Sequence, residues 1–334
     1  MRLRIAAGLV LLAAGALARH LAAAEEIKIG LQKTSGNGPV YLAQDKGYFA
    51  AEGLEPKLLF FDAPVPIVAA TVSGDIDFGA TGLSGALYSL AGKGALRLIA
   101  GTIHEVPTFR ALTVVASQKA HAAGLGTLRD LADHSVAVSA IGAPSHYSLA
   151  LIAAKYGVDL ARVRILPLQS NTNTTSAVVG GQADAAIIPL TFLSAAIERS
   201  EVAVLGYVGA ETPWQLSGIF TAAKTADERG ELVQRYLRAY KKGARDYYDA
   251  YTAPDGTRRD GPTAPAVTAL IATYMGQTVE QVQQGVPYIA ADARLDVADV
   301  QRQIASYGAQ GLIKGPVDAD AIIDGRYVVP LPSH

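Results

Sequence analysis

Residues 70–90, ATVSGDIDFGATGLSGALYSL, have a counterpart about a hundred residues on, at 177–197, AVVGGQADAAIIPLTFLSAAI. In each, a short apolar helical run stops at glycine (Gly74; Gly180 and Gly181), an aspartate follows (Asp77; Asp184), an apolar run suited to a buried strand comes next, and a new helix begins after a turn. The same grammar twice, once per half, predicts two similar α/β units rather than one continuous domain.

Working outward, the neighbouring residues keep that rhythm. Residues 27–32, IKIGLQ, read as a first buried strand, and 33–39, KTSGNGP, as a turn-forming loop whose Pro39 suits the first turn of a helix over 40–51. A strand at 56–61 leads to Asp62-Ala63-Pro64, read as cap and helix start with Asp62 capping a helix that reaches 73. The order βαβαβα implies a mostly parallel sheet with helices on its faces. After a strand at 96–101 the rhythm restarts: a helix start near Thr127, a strand at 135–139, a helix at 145–156, a strand at 163–167, a polar run 169–175 leading into a helix at 176–180, a strand at 183–188, a helix at 191–199 and a strand at 202–205. From 216 one strand, SGIFTA, is followed by helices alone. The expected architecture is α/β with two doubly wound lobes, lobe I from 25–110 and 217–334 and lobe II from 111–216, joined by two crossover segments near 105–112 and 209–217. Tyr236, Tyr240, Tyr247, Tyr248 and Tyr251 lie near helical spacing, the pattern of a helix packed on its lobe.

The first 24 residues stand apart. Arg2 and Arg4 precede an apolar run over 5–18, and Ala22-Ala23-Ala24 forms a small-residue cleavage site, the pattern of a secretory signal peptide. Without them, 26 basic residues face 30 acidic ones, a net charge of −4. That balance gives no reason to expect nucleic acid or an anionic membrane as partner. The chain has no cysteine, which excludes a disulfide framework, a thiolate metal site and a lipidated cysteine after cleavage. The expected product is a soluble, unlipidated protein of the periplasm.

In an open α/β sheet, ligands sit outside the carboxyl ends of the strands, where helices begin. Five such junctions occur, at 33–39, 62–64, 81–84, 140–145 and 171–175, the last holding Asn173. Each offers small or hydroxyl residues and backbone N–H groups at a positive helix end, a ready oxyanion site. Singly, Ser, Thr and Asn there are ordinary N-caps; converging from two lobes, they make a binding cleft. Enzymatic readings fare worse. No two of the six histidines have the spacing of a metal pair on one helix, and Gly82-Leu83-Ser84-Gly85 is not the Gly-x-Ser-x-Gly turn of a hydrolase nucleophile. His146, at a helix start without a nearby carboxylate to orient it, reads as a hydrogen-bond donor to ligand rather than a general base. Backbone and hydroxyl donors are expected to outweigh Lys33 and Arg110, which would first have to be desolvated.

On 30–33 (GLQK), 41–43 (YLA) with 46–49 (KGYF), 52–54 (EGL), 74–82 (GDIDFGATG), 142–147 and the closing 311–313 (GLI), the sequence resembles the nitrate/sulfonate/taurine-type periplasmic solute-binding proteins of ABC transporters, over about 27–325. The resemblance implies the type II periplasmic-binding-protein fold. It also implies a receptor, not an enzyme, that delivers a small organic anion of the sulfonate or carboxylate class to permease subunits, as a monomer with no cofactor or metal. Carried over by position, ligand contacts fall on Gln32, Lys33 and Thr34, on Thr81, Gly82, Leu83 and Ser84, on Ser139, Gly142, Ser145 and His146, and on the turn holding Pro189 and Thr191. Leu83 departs from the family, which commonly has an acidic or amide residue there; an amine on the ligand loses a partner, and an apolar or aromatic body gains plausibility. Phe109, Tyr147, Phe192 and Trp214 are the candidate walls for that body. The same fold also hosts enzymes of pyrimidine- and menaquinone-precursor synthesis, the alternative function.

Overall fold

Two five-stranded sheets, each built from a run of strand–helix units, organise residues 24–332, the part of the chain that the computed structural model describes. The signal peptide expected over residues 1–24 lies outside the described residues save for Ala24. In chain order the first half holds β1 (Glu25–Leu31), α1 (Gly38–Asp45), α2 (Tyr48–Ala51), β2 (Leu54–Phe60), α3 (Pro64–Ser73), β3 (Phe78–Gly82), α4 (Gly85–Gly92), β4 (Leu96–Gly101) and β5 (Ile103–Glu105). Next come β6 (Leu112–Ser117), α5 (Gln118–Ala122), β7 (Ser135–Val138), α6 (Pro144–Tyr156), β8 (Arg164–Pro167), α7 (Asn171–Val179), β9 (Ala185–Pro189), α8 (Ser194–Glu198), β10 (Val202–Tyr207), α9 (Val208–Glu211) and β11 (Trp214–Gln215). The remainder is β12 (Ser217–Ala222), α10 (Ala223–Glu228), α11 (Gly230–Tyr251), α12 (Ala264–Met275), α13 (Val279–Gln284), β13 (Tyr288–Ile289), α14 (Val297–Ala309) and α15 (Ala319–Ile322).

The first sheet has the order β2-β1-β3-β12-β4, the second β10-β6-β9-β7-β8. β1 pairs parallel with β2 and β3, and β7 parallel with β8 and β9, as the βα rhythm requires. The returning strand β12 inserts antiparallel between β3 and β4, while β6 pairs antiparallel with β9 and β10. The two aspartates of the repeated grammar do the same work. Asp77 Oδ2 accepts from the N–H of Lys28 at 2.8 Å, and Asp184 Oδ2 accepts from the N–H of Ser135 at 2.8 Å, each tying the residue before one strand to the strand it pairs with, 49 positions earlier. A third, small sheet joins β5 antiparallel to β11 and β13, with Trp214 opposite Glu105 and Gln215 opposite His104.

Several local expectations shift. The helix expected over 40–51 breaks into α1 and α2, because Gly47 takes a left-handed φ of 71° between them. Asp62 does not cap α3; Ala63 occupies the cap position, with Pro64 as the first helical residue and no side-chain cap bond. The helix expected from 176 already begins within the polar run, at Asn171: Ser170 caps it by accepting from the N–H of Asn173, and Thr174, Ala177 and Val178 supply a buried face. The tyrosine helix α11 packs on the first sheet, with Tyr236 stacked on Phe78 at 3.9 Å between ring centroids. One apolar cluster reaches both sheets, running from Leu83, Leu87 and Tyr88 through Tyr307, Tyr147 and Trp214 to Val114 and Ile187.

Candidate functional site

A cavity of about 90 Å³ lies among the carboxyl ends of β1, β3, β7 and β9 and the helix starts that follow them. Gln32, Thr34, Ser35, Gly36, Asn37, Pro64, Thr81 and Gly82 line it from the first-sheet side, and Ser139, Pro144, Ser145, Asn171, Pro189 and Thr191 from the second. Thr102, Ile103, Leu112, Leu216, Ser217 and Gly285 complete most of the wall. No lining residue carries a charge or a titratable side chain.

The exposed lining is mostly apolar, and its polar groups are ordered by their own hydrogen bonds. Thr81 Oγ1 donates to Gln32 Oε1 at 3.0 Å, and Asn37 Nδ2 donates to the carbonyl of Gln32 at 2.7 Å. Ser35 Oγ donates to the carbonyl of Gly285 at 2.6 Å, the hydroxyls of Thr102 and Ser217 stand 2.5 Å apart, and the N–H of Ser139 donates to Ser145 Oγ at 3.2 Å. Thr191 Oγ1 is different: it is buried and has no hydrogen-bond partner. A buried hydroxyl left unpaired costs on the order of 1–3 kcal/mol, so its presence in a cavity wall points to a partner supplied from the cavity.

Three of the helix starts at this cavity lack the usual caps, whereas that of α7, whose Asn171 also lines it, is capped by Ser170. The turn Ser35–Asn37 that opens α1, and the N-termini of α3 and α6, receive no side-chain cap bond. Elsewhere Ser84 caps α4, Thr278 caps α13 and Asp296 caps α14. With Pro144 at the first position of α6, the N–H groups of Ser145 and His146 have no acceptor within the helix. Uncapped helix starts put partial positive charge at the rim of a neutral, low-dielectric space, which favours an anion without any buried cation.

Of the sequence-predicted residues, Gln32, Thr34, Thr81, Gly82, Ser139, Ser145, Pro189 and Thr191 are brought together in this wall. The other eight are not. Leu83 is fully buried in the core and its N–H donates to Leu216, so the departure read at this position does not shape the cavity. Ser84 caps α4, and the N–H of Gly85 donates to the carbonyl of Gly142 at 3.0 Å, so this helix start is satisfied within the protein. Phe109 packs edge-on against Tyr288, and Trp214 against Tyr147, as core. Asn173 turns its amide to the carbonyl of Leu168, while Lys33 is exposed, 5.3 Å from the centre of the Phe60 ring. His146 Nδ1 accepts from the N–H of Gly142, which leaves Nε2 as the protonated nitrogen, and burial lowers its pKa below the ordinary histidine value. Arg110 lies over the Tyr207 ring. Gln32, Thr81 and Ser145 were visible at strand–helix junctions; Thr102, Ser217 and Gly285 carry no such signal, since only long-range pairing brings them here.

The family model described as NMT1/THI5 like matches residues 35–255. The chain belongs to this family. A comparison with curated protein sequences gives no match. Among solved structures, the chain is similar to the periplasmic aliphatic sulphonate binding protein SsuA from Escherichia coli, at 20% identity over 93% of this chain and 94% of that one, with a TM-score of 0.71. It is similar to the alkanesulfonate-binding protein SsuA from Xanthomonas axonopodis pv. citri bound to MOPS, at 20% identity over 89% and 97%, TM-score 0.72. It is also similar to the periplasmic nitrate-binding protein NrtA from Synechocystis PCC 6803, at 11% identity over 89% and 84%, TM-score 0.67. The fold of this NMT1/THI5 like chain is therefore that of the periplasmic binding proteins. Among the described residues, no three His, Cys, Asp or Glu side chains group as a metal site, and no helix is long and apolar enough to cross a membrane.

Proposed function

We propose that this protein is an extracytoplasmic receptor that closes on a small organic anion, of the sulfonate or carboxylate class, and delivers it to the permease subunits of an ABC importer. The observation that carries this reading is the neutral cavity at uncapped helix starts, with the unpaired Thr191 hydroxyl in its wall. General acid–base catalysis needs a group to move protons, and no titratable side chain lines this space. In this reading the two sheets are the cores of two lobes, 25–110 with 217–334 and 111–216, and the β5–β11 pair is the ribbon about which they hinge. In this reading, Pro144 seated on Gly82 and Gly85 bonded to Gly142 are contacts made across the cleft, which closure would require. Export through the signal peptide to the periplasm, unlipidated, belongs to the same reading, as do the family resemblances to sulfonate and nitrate receptors.

Calorimetric titration of the mature protein, stripped of ligand, with nitrate, alkanesulfonates, carboxylates and pyrimidines tests it. The expected result is saturable binding of at least one small anion; binding of none overturns the receptor reading.

A further inference from the structure

We propose, resting on the receptor reading above and its two lobes, that the segment 277–285 is a polar clasp that fastens one lobe to the other beside the cavity and sets how tightly the ligand is held. The segment is α13 with the two residues before it and Gly285 after it, and it is anchored on the first lobe. Thr278 and Gln281 cap its start reciprocally. Ser35 Oγ donates to the carbonyl of Gly285 at 2.6 Å, Gln283 Nε2 to Asp260 at 2.7 Å, and the Tyr247 hydroxyl to the carbonyl of Pro287, two residues on, at 3.0 Å. Every one of these partners falls within 25–110 or 217–334, so the segment has a fixed seat on that side.

Its other side meets the turn 190–192 and α8, which belong to the second lobe. Gln277 Nε2 donates to the carbonyl of Thr191 at 3.2 Å, and Gln284 Nε2 donates to Glu198 Oε1 at 2.7 Å. Between them, Ser194 Oγ shares its proton between the carbonyls of Leu190, at 3.1 Å, and Gln281, at 3.3 Å. The bonds thus run from 277 through 281 to 284 on one side and from 191 through 194 to 198 on the other, steps of three and four that keep each row on one face. Gly285 lets the rows approach: a Cβ there would stand 2.6 Å from Thr191 Cγ2 and 2.9 Å from the Thr191 nitrogen. Thr191 and Gly285 both line the cavity, so parting them opens its wall. Two buried atoms at this junction, Thr191 Oγ1 and Gln277 Oε1, have no hydrogen-bond partner. Water reaching them on opening offsets part of what the broken bonds lose, so the clasp parts at small cost and a change in one bond is read as affinity.

The test reverses the one bond of this set that carries a charge. Gln284→Glu puts a second carboxylate against Glu198 at the protein surface, and the exchange variant Glu198→Gln/Gln284→Glu restores one amide and one carboxylate with their roles swapped. Coincident far-ultraviolet circular dichroism of the three proteins checks that all are folded. Calorimetric titration uses nitrate, methanesulfonate, ethanesulfonate and acetate. For each anion that the parent binds, Gln284→Glu should bind about five- to tenfold more weakly, because like charges now oppose the junction. The exchange variant should return to within about twofold of the parent, as a surface pair of restored sign allows. Equal affinity in Gln284→Glu and the parent, or a loss that the exchange does not recover, overturns the clasp while leaving the receptor intact. Binding of none of the anions by the parent counts against the receptor reading, and small-angle X-ray scattering then decides the junction by itself. A larger radius of gyration in Gln284→Glu, reversed by the exchange, upholds it; equal radii overturn it.

Discussion

At the residue scale, Thr191 and Gly82 separate binding from folding. Thr191→Val keeps shape and removes a hydroxyl that is buried with no hydrogen-bond partner in the protein. Its loss should leave the melting temperature unchanged or raise it, because an unpaired polar atom is gone. Anion affinity should fall by about 1.5–3 kcal/mol, the range for a hydrogen bond to a charged group. Differential scanning fluorimetry and calorimetry on one sample check both halves; an unchanged affinity would remove this hydroxyl from the site. Gly82 is glycine for a different reason: a Cβ there would stand 2.3 Å from Pro144 Cγ on the facing helix. Gly82→Ala should therefore penalise the closed form by about 1–3 kcal/mol, lowering affinity some ten- to a hundredfold by titration, while changing the stability of the open protein less. Position at a strand–helix junction was legible in the sequence for Gln32, Thr81, Ser145 and Thr191. Side-chain direction was not, which is why Leu83 reads as a contact, and Phe109 and Trp214 as walls, but all three pack as core.

At the scale of elements, the repeated aspartates were the most informative signal, and their physical meaning is now plain. Asp77 and Asp184 each pin a parallel strand to its neighbour at the same offset, so the grammar recurs because the strand pairing recurs. Boundaries were less legible, because a left-handed Gly47 and a cap supplied by Ser170 are decided by backbone geometry that composition does not fix. The ribbon between the halves carries the element-scale prediction. Glu105 on β5 is fully buried, and its Oε1 accepts from the N–H of Leu112 at 2.9 Å. Burial pushes its carboxyl up to about 8 from an ordinary 4.5, outweighing that bond. Between these values the unfolded chain is ionised while the folded protein keeps the proton. Stability from this group is thus full below about pH 4.5 and is lost as pH rises toward 8, at about 1.4 kcal/mol per unit. Glu105→Gln keeps an oxygen for Leu112 and cannot ionise. Its melting temperature should match the parent near pH 4.5 and exceed it increasingly up to pH 8; a gap that does not widen with pH would place the cost elsewhere.

At the scale of the molecule, two sheets share one apolar cluster. Tyr88 and Tyr307 meet at 6.1 Å between ring centroids, Tyr307 and Tyr147 at 5.4 Å, and Tyr147 and Trp214 at 4.8 Å, so a continuous aromatic path joins α4 and α14 to α6 and β11. Beneath it, Asp299 Oδ2 accepts from Gln303 Nε2 and from the N–H of Gln215, and Tyr88 donates to Gln303 at 2.9 Å, so the same residues are also tied by buried hydrogen bonds. Melting either half alone would expose this cluster and leave those polar groups unpaired, at a cost neither half can meet by itself. The expectation is one cooperative calorimetric transition rather than two. A ligand at a hundredfold excess over its Kd adds about 2.7 kcal/mol, and for a single unit of this size that moves the whole peak by about 4 °C. If the halves unfolded independently, only the contacts made by one of them would report the ligand, and the peak would split or broaden as ligand is added. A scan that resolves two transitions, with one of them insensitive to ligand, would show that the aromatic path does not couple the halves.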